Sequence, residues 1–517
     1  MPTHAVALES NLVITLRRLL VVPSILTLVF SLLVPLGTGV NEPGNGGLAM
    51  ANSLTRRQFL VAAGVAATVP IINTSGSPTR EADAAQVSVR RDIGGMDASD
   101  PILVSYRAAI KKMKALPATD ARSWTYQAAI HGTLLTPSRP AWNTCQHGNY
   151  FFWSWHRMYL YWFERIVRKL SGDRCWTLPY WNWTSPNERQ LPAPFRDPAS
   201  ELYTPNRHPA MNNGTGTLPS GDVTYSLAFA LTNFTSASAS LEATPHGAVH
   251  VDVGGWMGSV PTAAQDPIFY LHHCNIDRLW NLWLAQGGGR TDPLGDLTWR
   301  NQKFIFFNEN GSSVQMTGCA VLRAAEQLRY VYEGEPPQVK LYCLPKVVRP
   351  LVEFKPEVLM PVPVPPITLT AEPTTFSIDI REAAPKMQAF AKSKTETLLL
   401  VLEEVEAERQ PEVVWDVYVG LAADAMPDSE SPHFVGTLSL FGTGIRSEMK
   451  EKFQPGRFVF PLDQALAASF EKHPDQVPVR LIPHGILIEG KPSRPEVKAN
   501  VRIGRVNILV ERERQQE

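Results

Sequence analysis

The stretch from Cys145 to Trp183, CQHGNYFFWSWHRMYLYWFERIVRKLSGDRCWTLPYWNW, decides the fold because it joins the densest aromatic run of the chain to two histidines. Apolar residues recur at spacings of three and four from Tyr150 to Val167, which predicts a helix with a wide apolar face. His156 lies on that face, and His147 precedes it on a predicted loop. A buried imidazole needs a partner for each ring nitrogen, and a metal ion is one such partner. For a single histidine, a hydrogen-bonded core position is the simpler interpretation.

Further histidines favour the metal-binding interpretation over a core position, because they too occur on apolar segments with a helical pattern. His246 and His250 are spaced i, i+4, which puts both rings on one face of a helical turn. His272 and His273 are neighbours on an aromatic-rich helical segment, and adjacent helical side chains point about 100° apart, so at most one of them faces the same centre. His131 ends another amphipathic segment. Imidazole suits zinc, copper, iron and nickel. Two groups of three histidines on a four-helix bundle suit a pair of copper ions that bind dioxygen.

The same segments resemble the two copper signatures of the tyrosinase family, which includes catechol oxidases, plant polyphenol oxidases and hemocyanins. The resemblance rests on HGNYFFWSWHR at His147 to Arg157, PYWNW at Pro179 to Trp183 and DPIFYLHHCNIDRLW at Asp266 to Trp280, and it covers residues 86 to 335. It implies that His272 packs beside the site and does not bind metal. The ligands implied for copper A are His131, His147 and His156, and those implied for copper B are His246, His250 and His273.

Other positions carry over from the resemblance. Cys145 matches a cysteine that in some relatives forms a thioether to a copper A ligand, here His147; a buried thiol is the alternative. Glu242 matches an acidic residue that holds a water near the site. Val260 stands where some plant relatives carry a phenylalanine gate, which suggests a more open entrance. Gly247 replaces an asparagine found in many tyrosinases, which puts hydroxylation of monophenols in doubt and leaves oxidation of o-diphenols.

Two further expectations concern the surroundings of the site. Asp277 and Arg278 lie one turn past His273, where a hydrogen bond could fix the imidazole tautomer. A structural ion pair is the alternative at that position. In relatives, an arginine near the start of the domain contacts a Tyr-x-Tyr motif near its end, and Tyr330 to Tyr332 fits that pattern.

The function implied is oxidation of o-diphenols to o-quinones by dioxygen at two copper ions. His250 is the expected platform for the substrate ring, and a water held by Glu242 is the expected base. Hemocyanin-like oxygen binding, o-aminophenol oxidation and a dinuclear zinc hydrolase remain as alternatives. Lys plus Arg and Asp plus Glu both number 49, so nothing in the net charge indicates nucleic acid as a partner. Small phenolic substrates, a copper-delivery chaperone and a protease are the expected partners.

The N-terminus has the features of targeting segments. Thr55 to Leu60, TRRQFL, precedes an apolar run and resembles a twin-arginine signal, so residues 50–85 are predicted to be a signal peptide. The protein is therefore expected to be periplasmic or secreted. Residues 1–49 are predicted to be an upstream extension of the reading frame, or a membrane segment around the apolar run from Leu19 to Leu36.

After the predicted signal peptide, the hydrophobic pattern changes along the chain and divides it into domains. Residues 86–345 are predicted to be an α-helical dinuclear copper domain, and the proline-rich residues 346–372 an extended linker. Residues 373–517 alternate apolar and polar positions, which predicts an all-β sandwich. Its WDVYVGL and SPHFVGTLSLF segments are similar to the domain that shields the copper site in latent polyphenol oxidases.

The remaining cysteines and histidines receive simpler expectations. Cys274 is predicted to be a buried thiol, and a Cys319 to Cys343 disulfide is left open because spacing cannot establish it. His433 and His484 each lie near a proline and are expected to be turn residues, not metal ligands.

Overall fold

The part of the chain that the computed structural model describes begins after the predicted signal peptide. It comprises residues 87–335, 357–391, 393, 396–443, 455–462, 465–466, 469, 475–493, 497 and 499–512. The twin-arginine motif, the apolar run from Leu19 to Leu36, Cys343 and residues 346–356 of the predicted linker lie outside these residues. None of the helices described has the length and apolar character needed to cross a membrane.

The first part of the described chain is mainly helical. Its helices are α1 (Pro101–Ala115), α2 (Trp124–His131), α3 (Phe152–Ser171), α4 (Pro209–Asn213), α5 (Ser226–Ala230), α6 (Phe234–Leu241), α7 (Ala248–Val253), α8 (Val260–Ala263), α9 (Ile268–Ala285) and α10 (Leu297–Asn301). Its short strands are β1 (Ser88–Arg90), β2 (Gly216–Thr217), β3 (Phe304–Phe307), β4 (Ser313–Met316) and β5 (Tyr330–Tyr332). We call this part the helical region.

Local sequence explains where the main helices begin and end. The side chain of Asp100 accepts a hydrogen bond from the amide of Ile102, and Pro101 occupies the first turn of α1, where no amide donor is needed. Ser123 caps α2 in the same way by accepting from the amide of Tyr126. Helix α3 ends at Gly172, whose φ of +86° suits glycine. The helix predicted from Tyr150 to Val167 is therefore confirmed as α3.

A kinked segment, Glu242–Gly247, joins α6 to α7. Thr244 has an extended backbone with φ −139° and ψ 121°, and Pro245 has no amide hydrogen, so regular helical pairing is interrupted. The backbone is helical again at Gly247 and Ala248. His246 and His250 are thus separated by one helical turn, as their spacing predicts.

The second part of the described chain is a β-sandwich. Its strands are β6 (Glu357–Val362), β7 (Ile367–Leu369), β8 (Thr374–Asp379), β9 (Glu396–Ala407), β10 (Val414–Val419), β11 (Phe434–Leu438), β12 (Gly456–Pro461), β13 (Gln476–His484), β14 (Leu487–Ile488), β15 (Lys491–Pro492) and β16 (Val501–Arg512), with one helix, α11 (Ala384–Ala391). One sheet has the order β11-β10-β13-β8 and the other the order β12-β9-β16-β6, with β7 also pairing β16.

The two sheets bury their facing side chains in one apolar core. Leu400 and Leu402 of β9 are fully buried against Val477 and Val479 of β13 in the same cluster. The alternation of apolar residues predicted an all-β domain here, and the structure confirms it. The predicted linker 346–372 is wrong in its second half, because β6 and β7 lie within it and pair with β16 of the sandwich. His484 was expected to be a turn residue, which is wrong, because it is the last residue of β13 and pairs with Val414.

Backbone and side-chain hydrogen bonds join the sandwich to the helical region. Strand β14 pairs with β2, with Leu487 opposite Thr217. The hydroxyl of Thr244 donates to the carbonyl of Thr437 at 2.6 Å. The hydroxyl of Ser236 donates to the carboxylate of Glu511 at 2.5 Å. Both parts fall within one compact unit, Pro78–Glu517.

The cysteines agree with the expectations as far as the described residues reach. Cys274 is fully buried on α9, as predicted. Cys319 takes part in a disulfide. Its predicted partner Cys343 lies outside the described residues, so the pairing stays a prediction.

A buried charge network holds the start and the end of the helical region together. Strand β1 pairs in parallel with β5, so Arg90 lies opposite Tyr332. Arg90 donates to the hydroxyl of Tyr332 at 2.9 Å, and its guanidinium lies 3.6 Å from the ring centre of Tyr330. The predicted contact between an opening arginine and the Tyr-x-Tyr motif is therefore confirmed.

Asp277 is the acceptor at the centre of this network. Both tyrosine hydroxyls donate to its Oδ2 at 2.6 Å, Arg90 donates to the same oxygen at 3.3 Å, and Arg157 donates to its Oδ1. Burial alone would raise the pKa of Asp277, but the neighbouring Arg157 and Arg90 cations lower it below its usual value. None of its hydrogen bonds among the described residues goes to an imidazole. The expected hydrogen bond from Asp277 to the His273 imidazole is therefore absent among the described residues, and Asp277 forms the structural ion pair that was the alternative.

We expect Asp277→Asn to destabilise the fold by about 3–5 kcal/mol, because it leaves the buried Arg157 without its anion and leaves Arg90 with Glu164 alone. The measurement is urea unfolding followed by tryptophan fluorescence. The matched control is Asp379→Asn, which removes an exposed carboxylate paired with Arg381 and should change stability little. Equal effects of the two substitutions would contradict the structural importance of the network.

Candidate metal centre

Six histidines meet in two groups of three. His131 ends α2, His147 lies on the loop before α3, and His156 lies on the second turn of α3. Their ring centres are 5.2 to 5.7 Å apart. The structure thus brings together the three residues predicted for copper A.

The second group forms on the kinked segment and two helices. His246 lies in the kink, His250 on α7 and His273 on α9. Their ring centres are 4.7 to 5.4 Å apart. The groups adjoin each other, because the rings of His156 and His273 stack with centres 4.4 Å apart. The assignment of these six residues as metal ligands stays a prediction, but they share one enclosed space.

Hydrogen bonds to backbone carbonyls determine which nitrogen of four of these histidine rings is free to bind a metal ion. The Nδ1 atoms of His131, His156, His246 and His250 lie 2.8 to 3.1 Å from carbonyl oxygens. A carbonyl can only accept, so each Nδ1 carries the proton and each Nε2 keeps a lone pair. The accepting carbonyls belong, in the same order, to Val260, Phe152, Glu242 and Met257.

The available nitrogens fit a metal ion. The Nε2 atoms of His131, His147, His156 and His246 are buried without a hydrogen-bond partner in the described part of the chain. His250 Nε2 and His273 Nε2 are 3.2 Å apart. Two nitrogens bound to one tetrahedral ion at about 2.0–2.1 Å would be roughly 3.3 Å apart, so this spacing suits a shared ligand position. Burial also lowers the pKa of every ring, for His131 to about 3, which keeps the lone pairs free of protons.

His272 has the opposite tautomer. The indole Nε1 of Trp183 donates to His272 Nδ1 at 3.1 Å. An indole nitrogen is a donor only, so the neutral His272 ring must carry its proton on Nε2. Although His272 lies within the same histidine cluster, that nitrogen cannot bind a metal without losing a proton. The expectation that His272 packs beside the site has this hydrogen bond as its physical basis.

Cys145 and Glu242 lie beside His147. The Sγ atom of Cys145 is 3.4 Å from Nδ1 of His147. The Oε1 atom of Glu242 accepts from the amide of Gly148 at 2.7 Å. Burial raises the pKa of Glu242 to about 8, although the Gly148 amide opposes the rise. Both side chains line the same cavity, so each is within reach of the predicted copper A group.

Val260 and Gly247 both lie in close contact with neighbouring residues at the site. The side chain of Val260 lines the cavity, and its carbonyl is the acceptor that holds His131. A Cβ atom on Gly247 would lie 2.8 Å from Oγ of Ser439, a residue of the sandwich. A larger side chain at position 247 would therefore displace the sandwich, a constraint that the sequence analysis did not identify.

Phe441, on the loop after β11, reaches the site from the sandwich. Its ring stacks on His250 with centres 3.8 Å apart and an angle of 6° between the planes. It also meets the edges of His147 and His246 at 5.6 and 5.4 Å. The side chain is 3% exposed. Phe441 thus occupies the platform that the sequence analysis assigned to the substrate ring.

A cavity of about 570 Å³ lies beside this contact and is lined by both parts of the protein. His131, His147 and Glu242 line it from the helical region, and Phe441 and Arg457 line it from the sandwich. The sequence analysis expected the C-terminal domain to shield the copper site but identified no residue of that domain that lies over it. The run SLF before Gly442 carries no signal that separates Phe441 from an ordinary core position.

Comparison with protein families gives three matches along the chain. Residues 121–225 and 196–286 match the common central domain of tyrosinase, and residues 294–340 match the polyphenol oxidase middle domain. Residues 366–511 match a domain of unknown function. The first match includes all six histidines of the two groups.

Relatives and solved structures agree with these matches. Tyrosinase HcTyr1 of Hahella sp. (strain CCB-MM4) is 37% identical over 288 residues, which is 45% of this chain and 61% of the relative. A chloroplastic polyphenol oxidase of Malus domestica is 31% identical over 391 residues, which is 64% of this chain and 65% of the relative. The chain thus spans less than two thirds of the length of either relative.

Latent apple tyrosinase is similar in structure over most of the chain. The TM-score is 0.60 at 26% sequence identity, and the match covers 82% of this chain and 97% of the apple chain. A latent aurone synthase has the same fold, with a TM-score of 0.60 at 21% identity over 83% of this chain and 91% of the other.

We expect His273→Gln to remove about half of the copper that the protein binds, because it deletes a ligand of one three-histidine group. His272→Gln, the matched control on the neighbouring residue, should keep full copper content, because its Nε2 carries a proton. The measurement is copper per chain by atomic emission after reconstitution and desalting. Loss of copper in His272→Gln but not in His273→Gln would reverse the assignment.

Proposed function

Because the chain belongs to the tyrosinase and polyphenol oxidase family, we propose that it oxidises o-diphenols to o-quinones with dioxygen at a dinuclear copper centre. The observation that carries this proposal is the pair of buried three-histidine groups with available ring nitrogens. Bound copper would supply the electron transfer from the diphenol to dioxygen. The proposed ligands are His131, His147 and His156 for copper A, and His246, His250 and His273 for copper B.

The protein's own side chains would orient the substrate and accept its proton. The face of His250 that Phe441 now covers is the proposed platform for the diphenol ring, since it already holds one aromatic ring in a stacked geometry. Glu242, through a water, is the proposed proton acceptor. Withdrawal of the sandwich would expose its carboxyl group to solvent, and the smaller desolvation would lower its pKa toward the ordinary range.

A thioether between Cys145 and His147 is the proposed modification of the site. Its formation would remove the thiol hydrogen and one ring C–H hydrogen, and dioxygen, the proposed co-substrate, would accept the two electrons and two protons. Supporting it is the 3.4 Å separation between Sγ and the ring nitrogen. The bond would fix the orientation of the one copper A ligand that lies on a loop and has no backbone carbonyl at Nδ1. Val260 is proposed to border the substrate entrance without closing it, because valine is smaller than the phenylalanine of some plant relatives.

We further propose that the sandwich keeps the enzyme latent. The proposed boundaries are residues 86–345 for the copper domain, 346–356 for the linker and 357–517 for the shielding domain, since β6 and β7 pair with β16 of the sandwich. Phe441 would exclude a diphenol, because both rings need the same face of His250. Cleavage in the linker by a protease would then allow the sandwich to leave.

Cellular location and copper supply are part of the same proposal. The Arg56 and Arg57 pair suggests export by the twin-arginine route, which carries folded proteins. An enzyme exported in this way would receive its copper before export, and a copper-delivery chaperone is the proposed source. Periplasmic or secreted protein would then meet small phenolic substrates.

We expect catechol-dependent oxygen uptake by the copper-loaded protein, with a higher rate after proteolytic removal of the sandwich. Phe441→Ala should raise the rate of the intact chain roughly two- to tenfold, since a stacked aromatic pair contributes about 0.5–1.5 kcal/mol. Phe376→Ala is the matched control, because this phenylalanine lies on β8 and does not line the cavity.

The readout is oxygen consumption with catechol for intact and trimmed protein. If copper-loaded, trimmed protein bound oxygen reversibly without consuming it, a hemocyanin-like carrier would replace the oxidase. If Phe441→Ala and Phe376→Ala behaved alike, Phe441 would not be the residue that blocks the site.

Gly247 allows a test that separates docking of the sandwich from monophenol hydroxylation. In the intact chain, Gly247→Ala and Gly247→Asn should both raise catechol oxidation. Each new side chain clashes with Ser439 and weakens the docking of the sandwich on the helical region by about 1–3 kcal/mol. In trimmed protein, only Gly247→Asn should raise the rate with tyrosine relative to catechol, since only asparagine can orient a water beside Glu242. Equal tyrosine rates for the two variants would show that Gly247 does not limit hydroxylation.

A further inference from the structure

A second cluster of ionisable side chains lies between the helical region and the sandwich, separate from the six histidines. Asp222 and Asp252 come from the helical region, and Asp416 of β10 and His484 of β13 come from the sandwich. His484 Nε2 lies 3.1 Å from an oxygen of Asp416 and 3.3 Å from an oxygen of Asp222. One imidazole therefore bridges carboxylates of the two parts.

The cluster has more buried negative groups than its hydrogen bonds can satisfy. Asp222 and Asp252 are 0% and 4% exposed, and the Oδ2 atom of each has no hydrogen-bond partner within the described residues. Three carboxylates face one histidine, so even a protonated His484 leaves excess negative charge. A buried site of this kind needs either protons or a cation.

We propose that Asp222, Asp416 and His484 bind one divalent cation of the zinc class, which fastens the sandwich to the helical region. Aspartate oxygens and a histidine nitrogen are a donor set that zinc takes, whereas calcium and magnesium prefer oxygen donors alone. Donors on one zinc ion at about 2.0–2.2 Å lie roughly 3.3 Å apart, close to the separations of His484 from its two carboxylates. Asp252 lies beside Asp222 but outside this group, and its buried, unpartnered Oδ2 adds negative charge that the cation would balance.

The position of the cluster connects it to the copper centre. The hydroxyl of Thr437, on β11, donates to Asp222 at 3.3 Å and to Asp416 at 3.1 Å. Phe441 follows four residues later in the chain. Asp252 lies two residues after His250 on α7. The cation would thus fix Asp222 and Asp416, which are the acceptors for Thr437 on the strand that leads to Phe441. Asp252 beside them lies on the helix that carries the ring on which Phe441 stacks.

Two consequences follow. The bound cation stabilises the folded, closed chain, because a ligand that binds only the native state adds to its stability. It also keeps Phe441 over the copper site and so favours latency. The second consequence rests on the proposed oxidase function, whereas binding of the cation does not.

The test counts metals in full-length, copper-loaded protein. Wild type is incubated with zinc chloride and desalted, and copper and zinc per chain are measured by mass spectrometry. We expect about one zinc per chain in addition to two copper ions, and less than about one tenth of that zinc in His484→Gln or Asp416→Asn, since each loses a donor. His433→Gln is the matched control, because His433 belongs to the sandwich and hydrogen bonds the carbonyl of Val419. It should keep the zinc.

Thermal unfolding gives a second readout that does not need the variants to retain metal. Zinc should raise the unfolding midpoint of wild type and of His433→Gln but not that of His484→Gln. Withholding zinc should raise catechol oxidation by intact wild type and leave the rate of Phe441→Ala unchanged.

The outcomes separate the two proposals. If wild type retained no more zinc than His484→Gln and unfolded at the same temperature with and without zinc, the cation site would be rejected, and protons would neutralise the cluster. If zinc bound as expected but trimmed protein did not oxidise catechol, the cation site would stand and the oxidase would fail.

Discussion

Four hydrogen bonds from imidazole to backbone carbonyl are the interaction on which the metal centre depends. Each uses the Nδ1 proton of a buried histidine and leaves Nε2 directed into the space between the helices. The carbonyls of Met257 and Val260 come from the segment after α7, where Gly254 and Gly255 have positive φ angles of 70° and 55°. A Cβ atom on Gly255 would lie 2.3 Å from the carbonyl oxygen of Asn206. The tautomers of His250 and His131 therefore depend on a turn that needs glycine.

A second constraint is the close approach of two backbones over the site. Gly442 has a φ of +80°, and a Cβ atom there would lie 2.9 Å from Cγ of His147. Gly247 of the helical region is in close contact with Ser439 of the sandwich. Without these two glycines, Phe441 could not lie flat on His250, because the loop that carries it would stand further from the histidines. Shielding is thus a property of the backbone fit as much as of the aromatic ring.

The sequence predicts features that depend on local period and spacing. The i, i+4 pair of His246 and His250 fixes a shared helical face, and alternation in the C-terminal part identifies its strands. Local spacing could not decide whether Asp277 hydrogen bonds to an imidazole or forms a structural ion pair, because its partner Arg90 lies 187 residues away. Which of His272 and His273 is available to a metal is decided by the indole of Trp183, 89 residues from His272. Phe441 could not be found, since its role depends on how two separately patterned regions dock.

The two roles expected for Asp277, orienting the His273 imidazole and forming a structural ion pair, are connected through α9. His273 and Asp277 are one turn apart on this helix, so they point to similar sides of it. Arg157, on α3, binds Asp277, and His156, its neighbour in sequence, stacks on His273. The ion pair and the ring stack therefore fix the same two helices relative to each other, through residues that are one turn apart on α9 and adjacent on α3. A rotation of α9 that moved His273 away from its group would also separate Asp277 from the buried arginines, which is costly. The ion pair thus orients the imidazole through the helix, without a hydrogen bond to it.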